Sequence, residues 1–169
     1  MNIEQAIQTA IAYETKVSEA YARAAGRVQD PAGRRIFEVL TEEEKGHLAY
    51  LNHKLEQLRQ TGHVTPDALE TAIPSRQKIE AAEQSLQAKM AAIDPDNDLQ
   101  MLEQALNLEI ETSGFYQRMV KELPPEGQKF FARFVEIEEG HVAIVQAEMD
   151  HIAKSGYWFN FREVDLDGA

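Results

Sequence analysis

A glutamate followed three residues later by a histidine occurs at matching places in two halves of the 169-residue chain. Glu44 and His47 form the first pair, and Glu138 and His141 form the second, 94 residues further on (138 − 44 and 141 − 47). Residues three apart on a helix share one face, so the carboxylate and the imidazole of a pair could bind one metal ion. The chain is therefore predicted to be a helical scaffold that holds two such pairs.

Four long segments show the three- and four-residue spacing of apolar side chains that is typical of amphipathic helices. We predict helices over residues 2 to about 27, 31 to about 62, 98 to about 122, and from the turn at 123–127 to about 156. The connection 62–98 contains proline breakers on either side of an Ala- and Gln-rich stretch, 76–93, which is predicted to form an extra helix. The expected order is a helix pair, a long crossover and a second helix pair.

Two further glutamates interrupt the apolar faces of the first and third long helices. Glu14 and Tyr21 correspond to Glu109 and Tyr116, each 95 residues later (109 − 14 and 116 − 21), so the halves are an internal repeat with an implied pseudo-two-fold axis. Antiparallel packing can bring all four mid-helix carboxylates to one level. Left ionised and unpaired in a core, each would cost several kcal/mol. Two divalent cations would balance their charge, and we predict a di-metal site.

The predicted ligands are six residues: Glu14, Glu44, His47, Glu109, Glu138 and His141. Carboxylates with one imidazole per metal favour iron or manganese, although zinc would also bind. The spacing alone leaves open which two carboxylates bridge the ions.

On these six residues, with Tyr21 and Tyr116, the chain resembles the rubrerythrin-like branch of the ferritin-like di-iron carboxylate superfamily over residues 1–156. The resemblance implies an all-α, ferritin-like four-helix bundle with a long crossover between helices 2 and 3. It implies two iron ions bridged by Glu44 and Glu138, and tyrosines that hydrogen-bond the ligand carboxylates. It also implies reduction of hydrogen peroxide, or oxidation of Fe(II) with O2 or peroxide.

Two departures from that family bear on the activity. Thr112 stands where rubrerythrins carry a further glutamate, which leaves open whether the redox-dependent ligand switch linked with that residue, and with it the peroxidase activity, exists here. The chain has no cysteine and so no rubredoxin-type centre, and we expect an external electron-donor protein. The alternatives are a ferroxidase or iron-storage protein, which requires assembly into a cage, and a non-catalytic, metal-stabilised bundle.

The overall charge and the two termini give further expectations. A formal charge of −12 argues against nucleic acids and anionic membranes as partners. The N-terminus shows no basic region followed by an apolar run, so a cytoplasmic protein is expected. Residues 157–169 are predicted to form a tail, in which the aromatic cluster Tyr157–Phe161 caps the bundle or contributes to a homodimer contact.

Several other residues are interpreted more plainly. Glu148 and His151 have the same three-residue spacing. The equivalent residues in the first half are Lys54 and Gln57, so this pair is not repeated, and we interpret it as a chance match or a salt bridge at the helix end. Gly46 and Gly140, each before a site histidine, indicate close approach or access to the site, unless they are inherited from the duplicated ancestor. Five glutamates are assigned to a solvated face: Glu42, Glu43, Glu111, Glu136 and Glu139.

Overall fold

The computed structural model describes residues 1–83 and 95–158, and in these ranges the regular secondary structure is entirely helical. The helices are α1 (Ile3–Ala25), α2 (Pro31–Thr61), α3 (Arg76–Glu83), α4 (Pro95–Glu122) and α5 (Pro125–Ser155). Helix α1 packs on α2, α4 on α5, and α1 against α4, while α3 of the crossover packs on α5. The predicted all-α, ferritin-like bundle with a crossover helix is confirmed. None of the described helices is both long and apolar enough to cross a membrane.

Local sequence signals explain where the helices begin and end. The Asn2 side chain accepts a hydrogen bond from the Gln5 amide and closes a capping box at the start of α1. Asp30 caps α2 by accepting from the amides of Ala32 and Gly33, with Pro31 at the first helical position. Helices α2 and α5 both end at a glycine in the left-handed conformation, Gly62 and Gly156, each with φ of 77°. These glycines are 94 residues apart, which extends the internal repeat to the helix ends.

The crossover helix is confirmed over Arg76–Glu83, where Ile79 is fully buried. The rest of the predicted stretch, with its apolar residues Leu86, Met90 and Ile93, lies outside the described residues. The third long helix begins at Pro95, three residues before its predicted start at Asp98.

The apolar side chains form two hydrophobic clusters, one toward each end of the bundle. Along α1, Ala10 belongs to one cluster and Val17 to the other, with Glu14 between them. Along α2, Leu40 and Leu51 likewise belong to different clusters, and Glu44 and His47 lie between them. The polar residues of each long helix therefore lie in a layer between two apolar regions.

Trp158 covers one end of the bundle. Its ring lies so close to Gly33 that a Cβ there would approach within 2.4 Å, and it packs edge-on against Phe37. Its indole Nε1 donates to Asp98 at 2.8 Å. The capping prediction is therefore confirmed for Trp158, whereas Phe159–Phe161 lie outside the described residues.

Candidate metal centre

The six predicted ligands come together in the middle of the bundle, and all are buried with at most 1% exposure. They come from all four long helices: Glu14, Glu44, His47, Glu109, Glu138 and His141. Apolar residues that flank them on α2, α4 and α5 are also buried, among them Leu40, Leu51, Leu102, Phe134 and Val145. The sequence therefore predicted correctly which residues meet in the core.

The six residues form two overlapping groups. One comprises Glu14, Glu44, His47 and Glu138, and the other comprises Glu44, Glu109, Glu138 and His141. Within each group, one potential ligand atom per residue lies within 4.8 Å of the others. Glu44 and Glu138 belong to both groups. This arrangement fits two neighbouring cations that share those two carboxylates, as the family resemblance implied.

The two histidines turn the same ring nitrogen toward the carboxylates. His47 Nδ1 lies 3.3 Å from Glu44 and 3.4 Å from Glu14, while His141 Nδ1 lies 2.8 Å from Glu44 and 3.5 Å from Glu109. The imidazole rings stack with their centroids 5.3 Å apart and their planes 11° apart. Each group thus contains one imidazole with Nδ1 directed at its carboxylates.

The two tyrosines connect the halves of the repeat. Tyr21 on α1 donates its hydroxyl hydrogen bond to Glu109 on α4, and Tyr116 on α4 donates to Glu14 on α1. The contact is therefore exchanged between the halves, as the pseudo-two-fold relation requires. Burial and the surrounding carboxylates raise the pKa of both phenols well above the ordinary value, so both remain neutral donors.

Burial and mutual repulsion set the charges of the site. They raise the pKa of Glu14 to about 8 and that of Glu138 well above its usual range. Burial also acts to raise the pKa of Glu44, but the neighbouring Glu14 side chain and the charges of the histidines hold it well below the usual value. Burial opposes the charged form of His47, yet the carboxylates of Glu44 and Glu14 raise its pKa to about 10, and His141 is shifted in the same direction.

The buried carboxylate oxygens of this layer that accept no hydrogen bond could bind a pair of divalent cations. Among the described residues, both oxygens of Glu44, both oxygens of Glu138 and Oε2 of Glu109 have no hydrogen-bond donor, although all are buried. Such buried acceptors are costly unless a proton or a cation compensates them. One oxygen of each of these three glutamates lies within 4.8 Å of the others, so cations placed among them would compensate these carboxylates together.

Glu43 is a site-adjacent residue that the sequence interpretation assigned wrongly to the solvated face. Its side chain is only 12% exposed, and its Oε2 lies 3.9 Å from His141 Nε2. Two signals could have revealed it: Glu43 lies four residues before His47, on the same helix face, and its counterpart in the repeat is the apolar and buried Ile137. Burial opposes the ionised form of Glu43, but the contacts with His141, Thr71 and Ala72 lower its pKa.

The remaining sequence interpretations have mixed outcomes. The other four glutamates assigned to solvent are exposed: Glu42, Glu111, Glu136 and Glu139. Glu148 is fully buried and His151 is half-buried. Neither Glu148 nor His151 joins a group of metal-ligand side chains among the described residues. Thr112 is buried and donates its hydroxyl back to Leu108 O at 2.9 Å.

The two site glycines have different surroundings. A Cβ on Gly140 would lie 3.1 Å from the carbonyl oxygen of Pro74, so this glycine permits close approach of the crossover. A Cβ on Gly46 would meet nothing within 4 Å among the described residues. Close approach is therefore confirmed for one of the two positions only.

In a comparison with known protein families, residues 1–55 match the rubrerythrin family. This range is about a third of the chain and contains Glu14, Tyr21, Glu44 and His47. No curated protein and no solved structure matches the chain. The resemblance to the rubrerythrin-like branch is confirmed for the first half of the site, and the second half is connected to it by the internal repeat.

Proposed function

We propose that this rubrerythrin-like chain is a di-iron oxidoreductase that reduces hydrogen peroxide, or oxidises Fe(II) with O2 or peroxide. The observation that carries the proposal is the pair of overlapping, buried Glu/His groups that share Glu44 and Glu138. The rubrerythrin match over residues 1–55 supports iron rather than manganese or zinc. Two bound iron ions would supply the electrons and the Lewis acidity of such a reaction.

The residues of the chain have distinct parts in binding. Glu44 and Glu138 would serve both cations, because each lies in both groups. Glu14 and His47 complete one cation position, and Glu109 and His141 complete the other. This set gives each cation one imidazole and an equal share of the negative charge.

The surroundings of the site hold protons and exclude water. Tyr21 and Tyr116 keep their phenolic protons and hold one oxygen of Glu109 and Glu14 in place. Phe134 forms an aromatic wall, with the Tyr116 ring stacked on it at 4.8 Å and the His47 ring against it at 5.7 Å. Reduction of hydrogen peroxide to water consumes two electrons and two protons, and we propose that an external donor protein supplies the electrons.

The direct test is metal analysis of the purified protein followed by stopped-flow mixing of the reduced, iron-loaded form with peroxide or with O2. Faster oxidation by peroxide than by O2 would support a peroxidase. Assembly into a large hollow cage in light scattering would instead favour iron storage. An inert pair of zinc ions after expression with ample iron would favour a metal-stabilised bundle and contradict the proposal.

Removing one terminal carboxylate tests the ligand set. Glu109→Ala takes away a ligand that belongs to one group only, so we expect stoichiometric binding of two ions per chain to be lost. Glu111→Ala is the matched control, because Glu111 carries the same charge on the same helix but is exposed. Two ions retained with unchanged affinity in Glu109→Ala would contradict the six-ligand model.

A further inference from the structure

The two ring nitrogens of His141 face different carboxylates. Nδ1 points into the metal centre, 2.8 Å from Glu44 and 3.5 Å from Glu109. On the other side of the ring, Nε2 lies 3.9 Å from Oε2 of Glu43, which belongs to neither of the two groups that form the centre. A small rotation of either side chain would bring Nε2 and this oxygen to hydrogen-bond distance.

The Glu43 carboxylate is held in this place by the crossover. Thr71 donates its hydroxyl hydrogen bond to Oε2 at 2.5 Å, and the amide of Ala72 donates to Oε1 at 2.8 Å. Just beyond, Pro74 O lies close to Gly140, the residue before His141. The segment Thr71–Pro74 thus contacts α2 through Glu43 and α5 beside the histidine.

We propose that Glu43 is a positioning residue that fixes His141 with Nδ1 toward the metal centre, and that the Thr71–Pro74 segment holds Glu43 in place. The proposal rests on the metal centre proposed above. A neutral imidazole has one N–H, and it can bind a metal only through the other nitrogen. A carboxylate that accepts the N–H of Nε2 leaves the lone pair of Nδ1 for the cation and makes it a stronger ligand.

This arrangement makes the two cation positions unequal. The repeat places Ile137, which is apolar, where Glu43 stands in the first half. Among the described residues, neither His47 Nε2 nor His141 Nε2 has a hydrogen-bond partner, but the Glu43 carboxylate lies 3.9 Å from His141 Nε2 and nearer to it than to His47. The effect of Glu43 therefore falls mainly on the cation bound by His141, and in the described part of the crossover only this position is connected to it through a carboxylate.

The test is a zinc titration of Glu43→Gln, with Glu42→Gln as matched control. Glu42 is the adjacent residue, exposed and paired with Lys45, so its substitution makes the same change of charge. We expect Glu43→Gln to weaken one of the two binding steps about 10- to 100-fold and to leave the other nearly unchanged. The control should alter neither step. In zinc-loaded Glu43→Gln, the side-chain 15N signals of His141 should show a smaller population with Nδ1 bound to the metal and Nε2 protonated than in the unaltered protein.

Thr71→Val gives a second, milder variant that leaves the carboxylate in place and removes one of its donors. We expect the same binding step to weaken by a smaller factor. Unchanged affinities in Glu43→Gln, or equal losses in Glu42→Gln, would overturn the proposal. A third zinc ion per chain that disappears in Glu43→Gln would also overturn it, because Glu43, His47 and His141 would then form a separate site. If the unaltered protein binds no metal, the proposed function is contradicted as well. If it binds two ions and Glu43→Gln has no effect on their affinities, only the role of Glu43 is contradicted.

Discussion

Glu14 and Glu109 each divide their two oxygens between a tyrosine and the metal centre. Oε1 of Glu14 accepts from Tyr116, while its Oε2 lies 3.4 Å from His47. Oε1 of Glu109 accepts from Tyr21 and also lies 3.5 Å from His141 Nδ1, while its Oε2 has no donor among the described residues. A hydrogen bond to one oxygen restricts the carboxylate to a single orientation, and the other oxygen is thereby directed at a cation.

Removing either phenolic hydroxyl should weaken one cation position more than the other. Tyr116→Phe frees Glu14, which belongs to the group with His47, and Tyr21→Phe frees Glu109, which belongs to the group with His141. We expect each variant to lose about tenfold in affinity at its own position, as substitutions behind metal ligands do. Two-step cobalt titrations of the two variants would measure this.

Tyr13→Phe is the control for this pair, because it removes a hydroxyl from the same helix as Tyr21 at a half-buried position beside Phe115. Its titration should match that of the unaltered protein. If Tyr21→Phe and Tyr116→Phe weaken the same binding step, the expectation that each tyrosine supports a different cation position is contradicted.

At the scale of whole elements, the long helices could be predicted because each carries its own signals. Asn2 and the Asp30-Pro31 pair cap helix starts, and Gly62 and Gly156 end helices, so the predicted and observed ends agree within about three residues. The candidate site could be predicted for a similar reason. A polar residue in the middle of an apolar helix face needs a partner in the core, and metal binding is one of the few ways to provide it. The internal repeat places each of these polar residues at equivalent positions in both halves, which strengthens the prediction.

The crossover could not be predicted in the same way. Its contacts depend on where an irregular segment lies against the finished bundle, and no periodicity encodes that. The contacts of Glu43 are an example: it stands one residue before a ligand, at the edge of the apolar face. Only Thr71 and Ala72, more than 25 residues away along the chain, reveal what its carboxylate contacts.

The two site glycines provide a test of how closely the crossover packs. Gly46→Ala should raise the free energy of unfolding by up to about 1 kcal/mol, because alanine favours a helix and the added methyl group meets nothing. Gly140→Ala gains the same preference but places its methyl 3.1 Å from Pro74 O, so the crossover must shift. We expect that strain, of about 1–3 kcal/mol, to cancel or reverse the gain.

Urea unfolding of both variants without metal would measure the difference. Because Gly46 and Gly140 precede equivalent histidines on equivalent helices, each substitution is the control for the other. Equal stabilisation by the two substitutions would mean that the crossover does not approach α5 as closely as described.

At the scale of the whole molecule, the metal centre makes folding depend on pH and on cations together. The metal centre buries four carboxylates in a chain with a formal charge of −12, and without cations it can do so only by retaining protons. With its pKa raised to about 8, Glu14 is protonated at neutral pH, as is His47, whose pKa is raised to about 10. Cations that enter must displace these protons, so binding should release protons and strengthen as the pH rises.

The metal-free protein should therefore become less stable as the pH rises from about 4.5 to about 10. For Glu14 and His47, the folded pKa lies above the ordinary value, so the folded state binds more protons than the unfolded state, and their stabilising effect is lost as the pH rises. The lowered pKa of Glu44 acts only at acid pH, where stability is lost as the pH falls.

Thermal unfolding with a chelator should show the decline, and two equivalents of zinc should raise Tm more at the upper end of this range. Glu14→Gln removes one titrating group and should flatten the metal-free profile. A metal-free Tm that rises with pH, together with a shrinking effect of zinc, would contradict a site that exchanges protons for cations.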